Sequence, residues 1–407
     1  MNQEFSQNIS SIVHTIRYKL QQTEFLRYTY LIFLAGFFFS PDDHLHRNYY
    51  YLFVIVPFLI GLDSSFIRNC IRSTLFQLSI LFLLYFWASM FWTDTNLSSE
   101  NYYDLSRYLL MLVIFLMVTM MLSSISEENF DKMKFWLCSA ACISAIIMVL
   151  IFYDSKNFPR ARLFGYFEHT QNPNQASMYF GFIGILAFHS ILCSKYAWHK
   201  IFYWFVYLTL FVYILLSQSR GPLLAFIIVL VMESIFAKNW KMIALFLTLL
   251  IVFMVFLEFY DLGIRSFYER GLSYRLILWK GAIRHISEAP LFGKGWFANV
   301  NILLIEENIW RSAHNLLLLV CAKGGVIGGG LLLLLILTTF MHSYKYFVDS
   351  GNWIFISIFV YFIICMTFDY THILYKPNLG WIIFWMPIAL IAGEEIRLKN
   401  LALIPPK

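Results

Sequence analysis

Charge is what this sequence is short of. Asp, Glu, Lys and Arg make up only 13% of its 407 residues, against about 25% in an average soluble chain. So little charge excludes an ordinary soluble globular protein. Alternation of apolar and polar residues at every second position is also missing, which excludes a transmembrane β-barrel. The six cysteines lie in or beside apolar stretches without a CxxC pair or a His-rich neighbour. Neither a disulfide framework nor a metal cluster is implied. Serine-nucleophile, zinc and nucleotide-binding signatures are absent, so any chemistry must start from an already activated substrate. Residues 1–24 hold no short apolar core followed by a small-residue cleavage site, and no removable signal peptide is expected. No internal repeat, low-complexity tract or second soluble domain interrupts the chain.

What is present is apolar and aromatic. Hydrophobic residues make up 60% of the chain, with 42 Phe, 25 Tyr and 12 Trp, a composition suited to lipid contact and interfacial aromatic belts. Apolar stretches repeatedly reach ~17–25 residues, the length of helix that crosses a bilayer core. The expected architecture is therefore an all-α integral membrane protein of one domain, residues 1–407, with about twelve spans. They fall near 25–40, 48–62, 73–92, 104–124, 132–153, 174–193, 200–217, 220–237, 241–258, 314–340, 353–371 and 377–394. The net charge of +6 is modest and carries no indication of nucleic-acid binding. In such a chain the basic residues record topology. With the N terminus cytoplasmic, fifteen basic residues of the short connections fall inside and seven outside, so both termini are expected in the cytoplasm. The long connection, residues 259–313, then lies outside.

Three polar clusters share that outer side. Ser217-Gln218-Ser219-Arg220-Gly221-Pro222 separates two apolar spans with almost no loop. A cation there costs a few kcal/mol unless it has water or a partner. The free N–H groups of the following helix start favour phosphate beside Arg220, although a snorkelling arginine fits the same pattern. Residues 273–287 read as an amphipathic helix whose apolar face is Leu276, Trp279, Ala282, Ile283 and Ile286. Arg275 falls inside that arc and needs an anion there, either a ligand or one of Glu258, Asp261 and Glu269. His314 and Asn315 open the tenth span. A neutral imidazole at this entrance is able to accept a proton near pH 7, and Asn315 is placed to orient it or to hold a sugar hydroxyl. A plain hydrogen-bonding histidine is the alternative.

Supporting segments lie between these clusters. The loop from Arg160 to Asn174 is dense in hydrogen-bonding groups, and Arg162 and Asn174 are its candidates for sugar contact. Pro290-Leu291-Phe292-Gly293-Lys294-Gly295 reads as a turn, with phosphate cradling a weaker possibility. The glycines at 324–325 and 328–330 suit close helix packing.

The order of these motifs resembles the O-antigen ligase/polymerase superfamily of bacterial envelope enzymes, on its ligase side. The features are Asn172-Pro173-Asn174, Ser219-Arg220-Gly221, Arg275 with Trp279, the 290–295 segment, and His314-Asn315 followed by Leu316, Leu317 and Leu318 ahead of Gly324-Gly325. They cover residues 160–340. The resemblance implies the multi-helical, lipid-carrier glycosyltransferase fold known as GT-C, with a large periplasmic loop containing the amphipathic helix. It implies transfer of polysaccharide from an undecaprenyl-diphosphate-linked donor to lipid A–core in the periplasmic leaflet of the inner membrane. No metal, nucleotide or other cofactor is implied. The family arginines map to Arg220 and Arg275 and the family histidine to His314. Where some relatives have a second histidine, this chain has Ser312. The implied chemistry is inverting displacement, with the arginines stabilising the diphosphate and His314 deprotonating the acceptor. The rival expectations are a polymerase using the same donor and, from another class, a transporter of lipid-linked glycans. A transporter would favour polar groups near mid-membrane.

Overall fold

The computed structural model describes residues 24–61, 64–93, 96–125, 127–259, 275–298, 303–305, 308–310, 313–368 and 373–402. The first helices are α1 (Glu24–Phe39) and α2, which runs Asp43–Tyr50, through a π-turn at Tyr51–Ile55, to Val56–Gly61. The short α3 (Ser64–Ile71) precedes α4 (Thr74–Ala88), which ends in a 3₁₀ turn over Ser89–Trp92. Next come α5 (Ser99–Ile125), α6 (Glu127–Asp154), α7 (Pro173–Cys193) and α8 (Ala197–Leu216). They are followed by α9 (Arg220–Phe236), α10 (Trp240–Phe259) and the amphipathic α11 (Arg275–Glu288). The chain closes with α12 (Leu316–Ser350), α13 (Ile354–Phe368) and α14, a π-turn at Trp381–Trp385 leading into Met386–Ala402.

Each of the twelve expected spans contains a helix. Among the described residues, six of these are long and apolar enough to cross a membrane: 74–92, 99–124, 128–154, 173–193, 197–216 and 316–350. That is the build of a multi-pass membrane protein, and the exposed surface agrees. Trp198, Phe91 and Leu150 are at least two-thirds exposed, which water would penalise and lipid does not. Helix α12 runs on to Ser350, past the expected end of the tenth span at 340, where Gly351 at φ 70° supplies a left-handed cap. Among its described residues the long connection contains an antiparallel pair of strands, β1 (Leu303–Ile305) and β2 (Asn308–Trp310), pairing Leu303 with Trp310. Span counting could not reveal it, because the strands are only three residues each.

Helix α7 is the centre of the body. Every residue from Ala176 to Ile191 is buried, as expected of a helix apolar all round, and α6, α8, α9 and α13 pack against it. Its glycines admit neighbours: a Cβ at Gly181 would lie 2.1 Å from the Tyr361 hydroxyl, which instead donates to the Met178 carbonyl at 3.0 Å. The two π-turns approach one another, with Trp381 5.2 Å from Tyr50 and 4.9 Å from Phe115 between ring centroids.

Residues 289–296 form more than a turn. They dock against a break in α12, where Gly325 has φ 62° and ψ −164°. The loop satisfies the broken helix on both sides: Lys294 N–H donates to Ala322 O at 3.3 Å and Gly295 N–H to Lys323 O at 2.8 Å. Pro290 O accepts from Val326 N–H at 2.8 Å, and Leu291 O from Ile327 N–H at 3.3 Å. Gly325 therefore serves the approach of backbone rather than of a helix, since a Cβ there would sit 2.2 Å from Leu291 O. Gly324 and Gly328 do serve helix packing, against Phe86 and Tyr85 of α4.

Candidate active site

One end of the body gathers the polar residues singled out in the sequence. Asn172 caps α7, accepting from Asn174 N–H at 2.9 Å, with Pro173 in the first turn. Arg162 reaches across to the α8–α9 corner. Its Nε donates to Ser217 O at 2.9 Å, and Nη2 donates to Asn174 Oδ1 at 2.7 Å and to Ser219 Oγ at 3.3 Å. The corner turns through Gln218 at φ 52° and is tied again by Ser219 Oγ to Pro173 O at 3.0 Å. Arg162 and Asn174 are thus brought together, and they brace the corner from which Arg220 emerges.

Arg220 is the first residue of α9 and is half-buried. Gly221 beside it runs close to the end of α13, where a Cβ would meet Phe368 Cβ at 3.4 Å. Arg275, the first residue of α11, holds its guanidinium carbon 5.6 Å from the centre of the same Phe368 ring, a cation–π contact. Asn315 caps α12 by accepting from Leu318 N–H at 3.0 Å and donates to Thr367 O at 3.2 Å. Its amide therefore ties the start of α12 to the end of α13. His314 itself adopts φ 48°, a left-handed conformation uncommon outside glycine and frequent at functional sites. Arg220, Arg275 and His314 thus come from three separate stretches, and Arg275 itself, with Gly221 beside Arg220 and Asn315 beside His314, meets the last turn of α13. Helices α9 and α12 both start here, so their positive dipole ends add to the two guanidinium groups. The arrangement suits a multiply charged anion.

Two expectations need correcting. Arg275 does lie on the protein-facing stripe of α11, but that stripe is Leu278 and Ala282 with Trp279 and Ile286, whereas Leu276 and Ile283 are exposed. An interfacial helix beside hydrocarbon has apolar surroundings on two sides, so the most apolar arc does not mark the packed face. Nor does Glu258 neutralise Arg275, which makes no ion pair among the described residues. Asp261, Glu269 and Ser312 lie outside the described residues.

Sequence reasoning missed a second cluster at the same end. Lys376 is paired with Asp43, whose Oδ1 lies 3.8 Å from His169 Nδ1. His169 Nε2 is 2.7 Å from His46 Nδ1, and His46 Nε2 is 3.0 Å from Phe33 O. The signal was the density of Asp42, Asp43, His44 and His46 between the first two spans. Also missed was the Thr367–Phe368 hub, which is apolar and helical and carries no mark in the sequence.

Residues 205–334 match the family model described as O-antigen ligase. The O-antigen ligase match contains Arg220, Arg275, His314 and Asn315, and leaves Arg162 and Asn174 outside it. It supports a place in the O-antigen ligase/polymerase family. No curated protein matches the chain.

Proposed function

We propose that the protein is a lipid-carrier-dependent glycosyltransferase of the O-antigen ligase type. It moves polysaccharide from undecaprenyl diphosphate to lipid A–core at the periplasmic face of the bacterial inner membrane, with both termini in the cytoplasm. The fold is of the GT-C type, with about twelve spans and residues 259–313 outside. The observation that carries this reading is the meeting of the Arg220, Arg275 and His314 stretches at the end of α13. A lipid diphosphate sits at headgroup level, where two guanidinium groups offer charge-assisted, bidentate contacts.

The reaction is an inverting displacement. The acceptor hydroxyl oxygen bonds to the anomeric carbon as the bond from that carbon to the diphosphate oxygen breaks. The electron pair leaves on undecaprenyl diphosphate, whose growing charge is stabilised by Arg220 and Arg275. The hydroxyl proton passes to the His314 imidazole. Asn315 anchors the backbone beside that imidazole, while Arg162 and Asn174 shape the corner that contacts the sugar. The residues supply this chemistry without a nucleotide or a bound metal.

Transfer by the purified protein, with carrier-linked glycan as donor and lipid A–core as acceptor, tests the reading. Arg275→Ala and His314→Ala are expected to lower transfer by at least about 100-fold, and full transfer by either would refute it. Deletion in cells separates the neighbouring activities. A ligase mutant accumulates long chains on the carrier and bare core, whereas single repeats on core would identify a polymerase.

A further inference from the structure

Lys323 is a cation that the proposed chemistry does not use. It lies eight residues beyond Asn315, about 12 Å along α12, and an ionisable side chain at that depth is costly and kept for a role. Its ammonium donates to Trp296 O at 2.5 Å and sits 4.7 Å from the centre of the Trp296 ring. Its own carbonyl is one of those satisfied by the docked loop. Lys323 thus grips the end of the loop from both main chain and side chain, at the residue two places before the break.

The loop is held from its other side by α4. Ser89 Oγ accepts from Trp296 N–H at 3.0 Å, Trp92 Nε1 donates to Phe292 O at 3.2 Å, and the Tyr85 hydroxyl lies 3.3 Å from Phe292 O and 2.6 Å from Gly324 O of α12. Helix α11 leads directly into this loop, and its Leu278 and Ala282 pack in one cluster with Ala298, Ala313 and Ala322. Ala313 precedes His314, and Ala322 precedes Lys323. The seating of the loop therefore sets how far α11 can slide along α12, and with it the separation of Arg275 from His314. An undocked loop would leave the carbonyls of Ala322 and Lys323 and the N–H groups of Val326 and Ile327 without these partners, so partial seating is unfavourable.

We infer that Lys323 is a positioning residue, which seats the 289–296 loop in the α12 break and so fixes Arg275 against His314. The inference rests on the transferase reading above, and its failure is separable from that of the reading. Lys323→Met keeps the length of the side chain and removes the charge. With undecaprenyl-diphosphate-linked glycan and lipid A–core as probe substrates, it is expected to lower kcat by about 10- to 100-fold, the cost of a small misplacement. The donor KM should stay within about threefold. Lys323→Arg should recover most of the rate. Because Lys323 acts through Arg275, adding Lys323→Met to Arg275→Ala should cost less than about threefold more. A readout independent of activity is amide exchange, which should quicken at Lys294 and Gly295 while the α7 amides stay protected.

Wild-type kcat for Lys323→Met beside a strongly impaired Arg275→Ala would overturn the inference, as would full additivity in the double variant. Wild-type rates for Arg275→Ala and His314→Ala would instead overturn the transferase reading. Should Lys323→Met not fold, Lys323→Gln carries the same kinetic and exchange measurements, with the same outcomes deciding.

Discussion

Two polar regions share one end of this body and are built on opposite plans. In the first, Lys376, Asp43, His169 and His46 form a chain that ends on the Phe33 carbonyl, and every ring nitrogen faces a partner. The chain ties the α1–α2 corner to the 160–172 loop and to the segment ahead of α14. In the second, Arg275 rests on a phenyl ring and makes no ion pair among the described residues. The residue carrying the imidazole is held in left-handed backbone. A closed network spends its electrostatics on stability. A cation that no described carboxylate neutralises keeps its charge for an incoming anion, and helix N-termini beside it add to the pull on that anion. The first region is accordingly built as a clamp, and the second fits the proposed site.

The sharpest way to break that comparison is at His314. Replacing it with Ala or Gln should lower kcat/KM for transfer by about 10²–10⁴-fold, the usual worth of general base catalysis, while thermal unfolding in detergent changes little. Arg275 comes next. Arg275→Ala should cost about 10²–10³-fold, and Arg275→Lys should restore less than a tenth of the loss, because an ammonium lacks the planar fork. If lysine restored full activity, the bidentate contact would be wrong. Gly325→Ala follows, since its Cβ would meet Leu291 O at 2.2 Å and the residue would keep φ 62°. Destabilisation of about 1–3 kcal/mol is expected, with a smaller loss of rate in the molecules that stay folded. Thermal unfolding and transfer by the folded fraction measure the two parts separately.

Much of the helical body was legible in the sequence because lipid and span length impose a coarse, repeated pattern. Arg220, Arg275 and His314 stood out for the same reason, as polar breaks in apolar surroundings. What brings them together was not legible. Phe368 and Thr367 belong to an apolar helix end like many others, and their role comes from tertiary approach. The docked loop was hidden differently: Pro290, Gly293 and Gly295 look like ordinary turn residues. Only the backbone groups freed by the break at Gly325 show why both glycines of that loop sit at positive φ. Asn315 and Arg162 were read as ligand contacts because polar side chains near a site invite it. In the structure Asn315 caps α12 and bonds the Thr367 carbonyl, while Arg162 bonds the Ser217 carbonyl and Asn174.

The smallest effect on transfer should come from His169, and there pH rather than rate is the test. Burial, with Lys376 nearby, lowers its pKa from 6.5 to about 4. Between those values the unfolded chain takes up a proton that the folded chain refuses, so stability falls as pH drops from 6.5 toward 4 and is level above that window. His46 is pushed the same way, to about 3, by burial and by His169, and adds a second proton to the slope. His169→Gln removes one of the two. It should lower stability at neutral pH by about 1–3 kcal/mol, because the buried His46 nitrogen loses its partner. The wild-type and variant unfolding temperatures should then converge as pH falls, while transfer per folded molecule at neutral pH stays within about threefold. A wild-type unfolding temperature that ignores pH between 4 and 6.5 would mean that the clamp is not closed. A large loss of rate would mean that clamp and site are one unit.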